Sequence, residues 1–216
     1  NLSKVMYRLA GLPVASWVMV VPDDQRDSRR IESAVGLPCV VKPVRQGSSI
    51  GMSIVRTLDQ LPAALALALR HDSEVMVEAF IKGRELTVGV IGNAELSALP
   101  LIEIIPDSRY DFFNYEAKYQ PGASREVCPA PVSKKVCAKA QDYALRAHRC
   151  LQLRGYSRTD MILAGEELCL LETNTIPGMT PTSLLPQAAA EAGLSFSALL
   201  DRLIELAIEK PAGAQG

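Results

Sequence analysis

The stretch CVVKPVRQGSSIGMS, residues 39–53, places a lysine at the end of an apolar run and a loop of small residues directly after it. The residues on either side, 39–41 and 52–55, are typical of strands. Backbone N–H groups in such a loop form an anion site, and burying the Lys42 ammonium is costly unless an anion meets it. The stretch therefore predicts a phosphate site. On these residues alone, a hairpin whose lysine reaches water is an equal alternative.

The composition is that of a globular protein with one large domain or two small ones. The chain has 216 residues, of which 23 are basic and 24 acidic, and 48% are hydrophobic. This near-neutral balance argues against a nucleic-acid or membrane surface built on net charge. The longest apolar stretch, LPAALALAL at 61–69, is too short to span a bilayer, and no signal peptide is visible. We therefore expect neither nucleic acid nor a membrane as a partner.

The five cysteines are scattered, at positions 39, 128, 137, 150 and 169, and form no CxxC pair. Such a set is typical of free thiols in a reducing compartment, which predicts a cytoplasmic location. The chain starts at Asn1 without a methionine and enters a helical pattern at once. We therefore expect it to be part of a longer polypeptide.

The order of periodic segments predicts an α+β or α/β protein. Predicted helices cover 2–10, 23–35, 58–70, 133–151 and 195–209, and predicted strands cover 16–21, 74–81 and 86–105, with a hairpin around 164–165. Residues 106–132 have no steady period, yet five of the eleven aromatic residues lie between Tyr110 and Tyr119. Disordered segments are poor in aromatic residues, so we predict an ordered lid. The alternative is a loop that its aromatic residues pin in place without a further role.

Two pairs of polar residues lie on the two strands of the predicted hairpin. Arg158 and Asp160 share one face of their strand, and Glu172 and Asn174 share one face of the next. A five-residue connection, 164–168, would place Asp160 opposite Glu172. Facing carboxylates repel unless a cation lies between them, and these oxygen ligands suit Mg²⁺. The residues that alternate with these polar ones are all apolar: Met161, Leu163, Cys169 and Leu171. If both faces of the sheet are buried, the polar face lines a cleft. The alternative is a polar sheet face that is exposed to solvent.

The segment TIPGMTPTSLLPQAAAEAG, residues 175–193, follows this hairpin. Gly178 can offer a backbone N–H, and Thr182 or Ser183 precedes an alanine-rich helix whose start it would cap. Helix N-termini bind anions, including carboxylates. The alternative is a capped helix without a ligand.

Five separated motifs stand in the order and spacing of D-alanine–D-alanine ligases, a family of the ATP-grasp superfamily. They are VVKPVRQGSSIGMS, VEAFIKGRELTVGV, YEAKY, YSRTDMIL and LLETNTIPGMTPTSLLP. The chain resembles the central and C-terminal parts of these enzymes. The resemblance implies an α+β, ATP-grasp fold, in which two α+β lobes clasp ATP between antiparallel sheets. One lobe would be 1–77, with a phosphate loop at 45–51, and the other 78–216, with the lid and the metal site.

The resemblance also implies that both lobes hold ATP. Two lysines and the small-residue loop would contact the phosphates, strand residues would bind adenine and ribose, and a lysine of the lid would reach the transferred phosphate. These are Lys4 and Lys42 with Gly47, Ser48 and Ser49, then Glu78 with the backbone at Ala79 and Ile81 for adenine, Glu85 for ribose, and Lys118.

Further roles follow from the same resemblance. Two Mg²⁺ or Mn²⁺ ions would be bound by Asp160, Glu172 and Asn174. The tetrahedral intermediate would be stabilised by Arg158 and the Gly178 N–H. The carboxylate of the second D-alanine would be held by Ser183 and the Leu184 N–H, and a glutamate that holds the first D-alanine would connect to Ser48 and Tyr119.

The activity that the resemblance implies is ATP-dependent, ADP-forming ligation of two D-alanines through an acyl phosphate, for peptidoglycan precursors. The expected partners are ATP, D-alanine, an N-terminal domain of the same polypeptide that this chain lacks, and a second copy in a homodimer. A ligase that uses D-lactate or D-serine is one alternative, against which Tyr119 argues by resemblance. A nucleotide-binding module without ligase activity is another. Gln46 and Ala79 depart from an acidic residue and a lysine that many members have.

Overall fold

The computed structural model describes residues 1–21, 28–107 and 124–210, which form two compact units. The first unit is built on Ala15–Lys82, and the second on Leu2–Val14, Gly83–Ile105 and the chain from Glu126 onward. In chain order the helices and strands are α1 (Leu2–Leu9), β1 (Trp17–Val20), α2 (Ser28–Val35), β2 (Cys39–Pro43), β3 (Ser53–Val55), α3 (Leu61–Ala68), β4 (Val75–Ala79), β5 (Arg84–Gly92), β6 (Leu96–Ala98), β7 (Ile102–Pro106), β8 (Ser124–Val127), α4 (Lys134–Cys150), β9 (Gly155–Ala164), β10 (Glu167–Asn174), α5 (Leu184–Glu191) and α6 (Phe196–Ile208).

The first unit is an antiparallel four-stranded sheet in the order β1-β4-β2-β3, packed against α2 and α3. Its core forms because alternate residues of the strands are apolar and buried, such as Val41 and Val77, which pair across β2 and β4. The helices contribute Ile31, Leu61 and Leu65 to the same cluster. The opposite face of the sheet is thereby left for polar side chains of β2 and β4.

The second unit is a larger antiparallel sheet in the order β10-β9-β5-β7-β8, with β6 paired to β5. One face of this sheet packs on α4, whose buried residues recur at helical spacing: Val136, Ala140, Ala144 and Ala147. Ser133 caps that helix by accepting a hydrogen bond from the Val136 N–H. The helix predicted over residues 133–151 is thus confirmed, and the α+β class with it.

The boundary between the units differs from the predicted division after residue 77. That position lies inside β4, and the units divide after Lys82 instead. Helix α1 belongs to the second unit because its Tyr7 is fully buried in that unit's core and donates its hydroxyl to Thr173 Oγ1 at 2.6 Å. Part of the predicted lid is also regular structure, since β8 lies within 106–132. Residues 108–123 of that lid lie outside the described residues.

None of the helices in the described ranges has the length and apolar character needed to cross a membrane.

A buried histidine links α4 to β9 in the second unit. His148 is 1% exposed, and its Nδ1 lies 2.8 Å from Ser157 Oγ. Its Nε2 is buried and has no hydrogen-bond partner among the described residues. Burial lowers the pKa of this imidazole, an effect to which the Arg149 charge adds and which the Leu153 backbone opposes. The fold therefore favours the neutral form of His148.

We expect this histidine to make the protein less stable in acid. Because the folded pKa is depressed, stability is complete above the unfolded value of about 6.5 and falls as the pH drops toward the folded pKa, at up to about 1.4 kcal/mol per pH unit. Urea unfolding at pH 7.5, 6.5 and 5.5 measures this slope. His148→Gln should flatten this slope. Equal slopes for the wild type and His148→Gln would contradict the assignment.

Candidate functional site

Strands β9 and β10 bring the predicted metal ligands together in the second unit. The register places Glu172 opposite Asp160, and Asn174 opposite Arg158, so the four side chains share one face. Asp160 is 6% exposed, whereas Glu172 is exposed. The predicted pairing of the two carboxylates is confirmed; their roles stay predictions.

The two carboxylates face each other because β10 has a β-bulge, and not because of the predicted five-residue connection. Only residues 165 and 166 separate the paired strands. Continued without change, that register would place Leu171 opposite Asp160. The register instead shifts by one residue, so that Leu171 is the additional residue of a bulge and Glu172 moves opposite Asp160.

The bulge also changes which residues of β10 reach the core. Leu168 and Leu170 pair with core residues of β9 and are themselves buried in the core cluster. The alternation had grouped Cys169 and Leu171 with the core residues of β9, and this grouping was wrong. A bulge reverses the alternation of a strand, and a pattern read at a constant period of two misses that reversal.

The Asp160 carboxylate accepts several hydrogen bonds from the protein. Arg158 donates through Nε to Oδ1 at 2.9 Å and through Nη2 to Oδ2 at 2.8 Å. Asn174 Nδ2 donates to Oδ2 at 2.9 Å, and Thr87 Oγ1 donates to Oδ1 at 2.6 Å. A carboxylate offers about four lone-pair positions, so these donors occupy its accepting capacity. A cation that binds Asp160 therefore takes the place of one of them.

Arg158 carries a permanent positive charge on this face. Burial alone would lower the pKa of its guanidinium, but the Asp160 carboxylate outweighs burial and raises that pKa, with further contributions from Glu172 and Glu85. The side chain is 17% exposed. A half-buried cation with a planar set of donors can stabilise a developing anion.

The oxygen atoms at this face fit Mg²⁺ by type. Among the described residues there is no group of three or more His, Cys, Asp and Glu side chains that could hold a metal. The donor set is instead two carboxylates and one amide, which are ligands that Mg²⁺ accepts. Asn174 bonds to Asp160 through its nitrogen, which leaves its amide oxygen as the ligand. Asp160, Glu172 and Asn174 are therefore the residues that would hold the ion.

The loop between β10 and α5 brings Gly178 and Ser183 together. A Cβ atom on Gly178 would lie 2.9 Å from Ser183 Oγ, so only glycine allows this approach without a shift. Ser183 is the N-cap residue of α5 by position, as predicted, but its side chain does not cap the helix. Its Oγ accepts instead from the Thr180 N–H at 3.1 Å and pairs with Thr180 Oγ1 at 2.8 Å. The first N–H groups of α5, starting with Leu184, therefore receive no side-chain cap from Ser183.

In the first unit, Lys42 and Glu78 form an ion pair. Lys42 Nζ lies 2.5 Å from Glu78 Oε1, and the two side chains are 24% and 5% exposed. They lie diagonally across β2 and β4, on the face opposite Val41 and Val77. The anionic partner of Lys42 in the structure is thus a carboxylate of the protein itself. The neighbouring Ala79 N–H donates to Ser16 O at 2.9 Å. Ile81, whose backbone is predicted to bind adenine, is half-buried.

The small-residue loop has an unusual backbone. Ser48 and Ser49 have φ angles of 55° and 59°, in the left-handed region that costs roughly 1–2 kcal/mol per residue. The Ile50 N–H donates to Gly47 O at 3.2 Å, and the Met52 N–H donates to Ser49 O at 3.3 Å. The flanking strands β2 and β3 pair antiparallel, so the stretch is a hairpin whose connection consists of consecutive tight turns.

The remaining predicted site residues are dispersed. Lys4 is buried in α1, and Glu85 is half-buried on β5, where it pairs with Ile104 and Ile162. Lys118 and Tyr119 lie outside the described residues. The structure therefore unites the proposed metal ligands with Arg158, and Gly178 with Ser183, within the second unit.

One site residue was missed in the sequence. Thr87 pairs with Asp160 across β5 and β9 and is 1% exposed. The available signal was its position two residues after Glu85, which places both side chains on the same face of β5. A threonine is common in strands, so its composition alone did not indicate a role.

Comparison with known proteins gives a consistent result. A family model described as "D-ala D-ala ligase C-terminus" matches residues 6–205. A D-alanine–D-alanine ligase of Syntrophobacter fumaroxidans is 58% identical over 208 residues, which are 96% of this chain and 67% of the relative. One from Desulfotalea psychrophila is 52% identical and is covered to 68%, against 100% of this chain.

Solved structures agree with these relatives. The VanG D-Ala:D-Ser ligase from Enterococcus faecalis matches with a TM-score of 0.84 at 35% identity, over 95% of this chain and 60% of that one. The D-alanine–D-alanine ligase from Bacillus anthracis in complex with ATP matches with a TM-score of 0.82 at 29% identity, over 96% and 65%. The chain thus spans about two thirds of the length of the proteins that it matches.

Proposed function

The chain belongs to the D-alanine–D-alanine ligase family, and we propose that its protein joins two D-alanines at the expense of ATP. The observation that supports this proposal most is the face of β9 and β10, where Asp160 lies opposite Glu172 and beside Arg158. The 58% identity to a D-alanine–D-alanine ligase supports the choice of substrate.

The proposed reaction has two steps. The γ-phosphoryl group of ATP passes to a carboxylate oxygen of the first D-alanine, which gives ADP and D-alanyl phosphate. The amine of the second D-alanine then attacks the carbonyl carbon, phosphate leaves, and the amine loses a proton. Both steps develop negative charge on oxygen, which fixed cations and N–H donors stabilise.

The residues of each unit would have separate tasks. In the first unit, Lys42 and the loop at Gly47–Ser49 would hold phosphate oxygens, and Lys42 would exchange its Glu78 partner for them. Glu78 would then be available to accept a hydrogen bond from the adenine amino group.

In the second unit, Arg158 and the Gly178 N–H would donate to the oxyanion. Ser183 and the uncapped N–H of Leu184 at the start of α5 would bind the carboxylate of the second D-alanine. Mg²⁺, held by the carboxylates of β9 and β10, would neutralise charge on the transferred phosphate when bound. Two bound ions, a cytoplasmic location and a homodimer belong to the same proposal.

We expect the full-length protein to release one phosphate for each D-alanyl-D-alanine formed. The measurement follows phosphate release and product with D-alanine alone and with D-serine or D-lactate as the competing second substrate. Because the VanG neighbour is a D-Ala:D-Ser ligase, this competition separates the two chemistries. We expect kcat/KM to favour D-alanine by at least about tenfold, the selectivity that a single substrate group supplies. A preference for D-serine or D-lactate would contradict the substrate, and phosphate release without ligation would contradict the reaction.

A further inference from the structure

The stem of the phosphate loop is tied to a turn that the proposed mechanism does not use. The backbone N–H of Arg45 donates to Asp72 Oδ2 at 2.7 Å, and its guanidinium donates from Nη1 to Asp72 Oδ1 at 2.7 Å and from Nη2 to Glu74. Gln46 Nε2 donates to the His71 carbonyl at 3.0 Å. Residues 45 and 46 are thus fastened to the turn at 71–74, directly before β4.

The far end of the loop packs on the same turn. Gly51 has a φ of +71°, and a Cβ at this position would lie 2.6 Å from His71 Cδ2 and 3.0 Å from Pro43 Cγ. Both ends of the loop therefore rest on one short segment. The left-handed Ser48 and Ser49 lie between these ends, and strained backbone of this kind persists only where its surroundings determine it.

Asp72 is the centre of these contacts. Its side chain is 4% exposed although that of Arg45 is 62% exposed, so the carboxylate is the fixed partner of the pair. It also accepts the Glu74 N–H at 3.2 Å. Burial would raise the pKa of this carboxyl, but the N–H groups of Arg45 and Glu74 and the Arg45 charge outweigh burial and lower it. Asp72 is therefore held as an anion, aimed at the stem of the loop.

We propose that Asp72 is a positioning residue, which acts through Arg45 to hold the loop at 47–51 in the shape that binds the phosphates of ATP. The inference rests on the proposed function, because it takes the loop as the phosphate site. Asp72 itself lies on the turn at 71–74 and contributes no atom to the reaction. Its removal should leave the adenine contacts of β4 in place and affect only what the loop holds.

The test uses Asp72→Asn in the full-length protein, with Asp59→Asn as the control. Asp59 is an exposed aspartate of the same unit, at the start of the 3₁₀ turn Leu58–Gln60 and outside the loop. Calorimetry measures the Kd of a non-hydrolysable ATP analogue and of adenosine. We expect Asp72→Asn to weaken the analogue about tenfold, the effect of one charge-assisted hydrogen bond, and to leave adenosine unchanged. Asp59→Asn should change neither.

A second measurement does not depend on nucleotide. Amide hydrogen exchange should become about tenfold faster at 47–51 in Asp72→Asn while β2 stays protected. Unchanged exchange in the loop, or an equal loss of analogue and adenosine affinity, would overturn the positioning role. If the wild type bound no ATP analogue, the proposed function would fail instead, and faster loop exchange in the variant would still show that Asp72 holds the loop.

Discussion

Replacement of Glu172 by glutamine is expected to lower the kcat of ligation by about 100-fold or more and to leave the free energy of unfolding unchanged. Glu172 is exposed, and the hydrogen bonds that hold Asp160 come from other residues. Its removal therefore costs the fold little. Its loss removes one of the two facing carboxylates, and charge stabilisation by a bound cation supplies several kcal/mol in phosphoryl transfer.

Asp160→Asn is expected to reduce activity as strongly and to destabilise the fold as well. The variant leaves the largely buried Arg158 without its anionic partner, and breaking a buried pair in this way costs about 3–5 kcal/mol. We therefore expect Glu172→Gln to lower activity alone, and Asp160→Asn to lower both activity and the free energy of unfolding.

Steady-state kinetics and urea unfolding of both variants test this contrast. Glu166→Gln is the control, since Glu166 is an exposed carboxylate of the same hairpin whose ion pair with Lys135 lies at the surface. We expect the control to retain activity and stability. Turnover near the wild-type rate in Glu172→Gln would show that the facing carboxylates have no catalytic role.

The change Arg158→Lys is expected to lower kcat by about 100- to 1,000-fold, the usual effect of losing one donor to an oxyanion. Lysine keeps the positive charge, so Asp160 retains a cationic partner and the fold should remain stable. It lacks the planar fork of donors with which Arg158 reaches both oxygens of Asp160, and it cannot present that fork to an oxyanion.

Arg154→Lys provides the comparison at a residue that directly precedes β9. Arg154 is exposed and donates to the Glu209 carbonyl at 2.8 Å. Kinetics with saturating ATP and D-alanine should show full activity for Arg154→Lys and the large loss for Arg158→Lys. A kcat within tenfold of the wild type in Arg158→Lys would contradict the role of the guanidinium.

Local sequence was sufficient for most helices and strands and for the grouping of the proposed metal ligands. The stripe of α4 with its Ser133 cap, and α6 with its Ser195 cap, depend on residues within one or two turns of each other. Arg158 with Asp160, and Glu172 with Asn174, could be grouped because a strand alternates its faces. These features are local, so a reading at a period of 3.6 or 2.0 finds them.

The pairing of Asp160 with Glu172 was predicted correctly but for a wrong reason. The short turn and the bulge at Leu171 compensate each other, and neither has a distinct residue type, because leucine also continues a regular strand. A bulge is stabilised by packing on both sides of the strand. Leu168 and Leu170 bury in the core while Glu172 reaches the polar face, and only the assembled sheet determines that outcome.

The sequence by itself determined the class of the fold, the strands that carry the site and the residue types that can bind phosphate and Mg²⁺. Only the tertiary structure decided the partners of those residues: Thr87 for Asp160, 73 residues away, Glu78 for Lys42, and Asp72 for Arg45, 27 residues away. The physical reason is that a charge or a hydroxyl bonds to whatever the packed strands place within about 3 Å. Periodicity specifies the face on which a side chain lies, and packing specifies its neighbour.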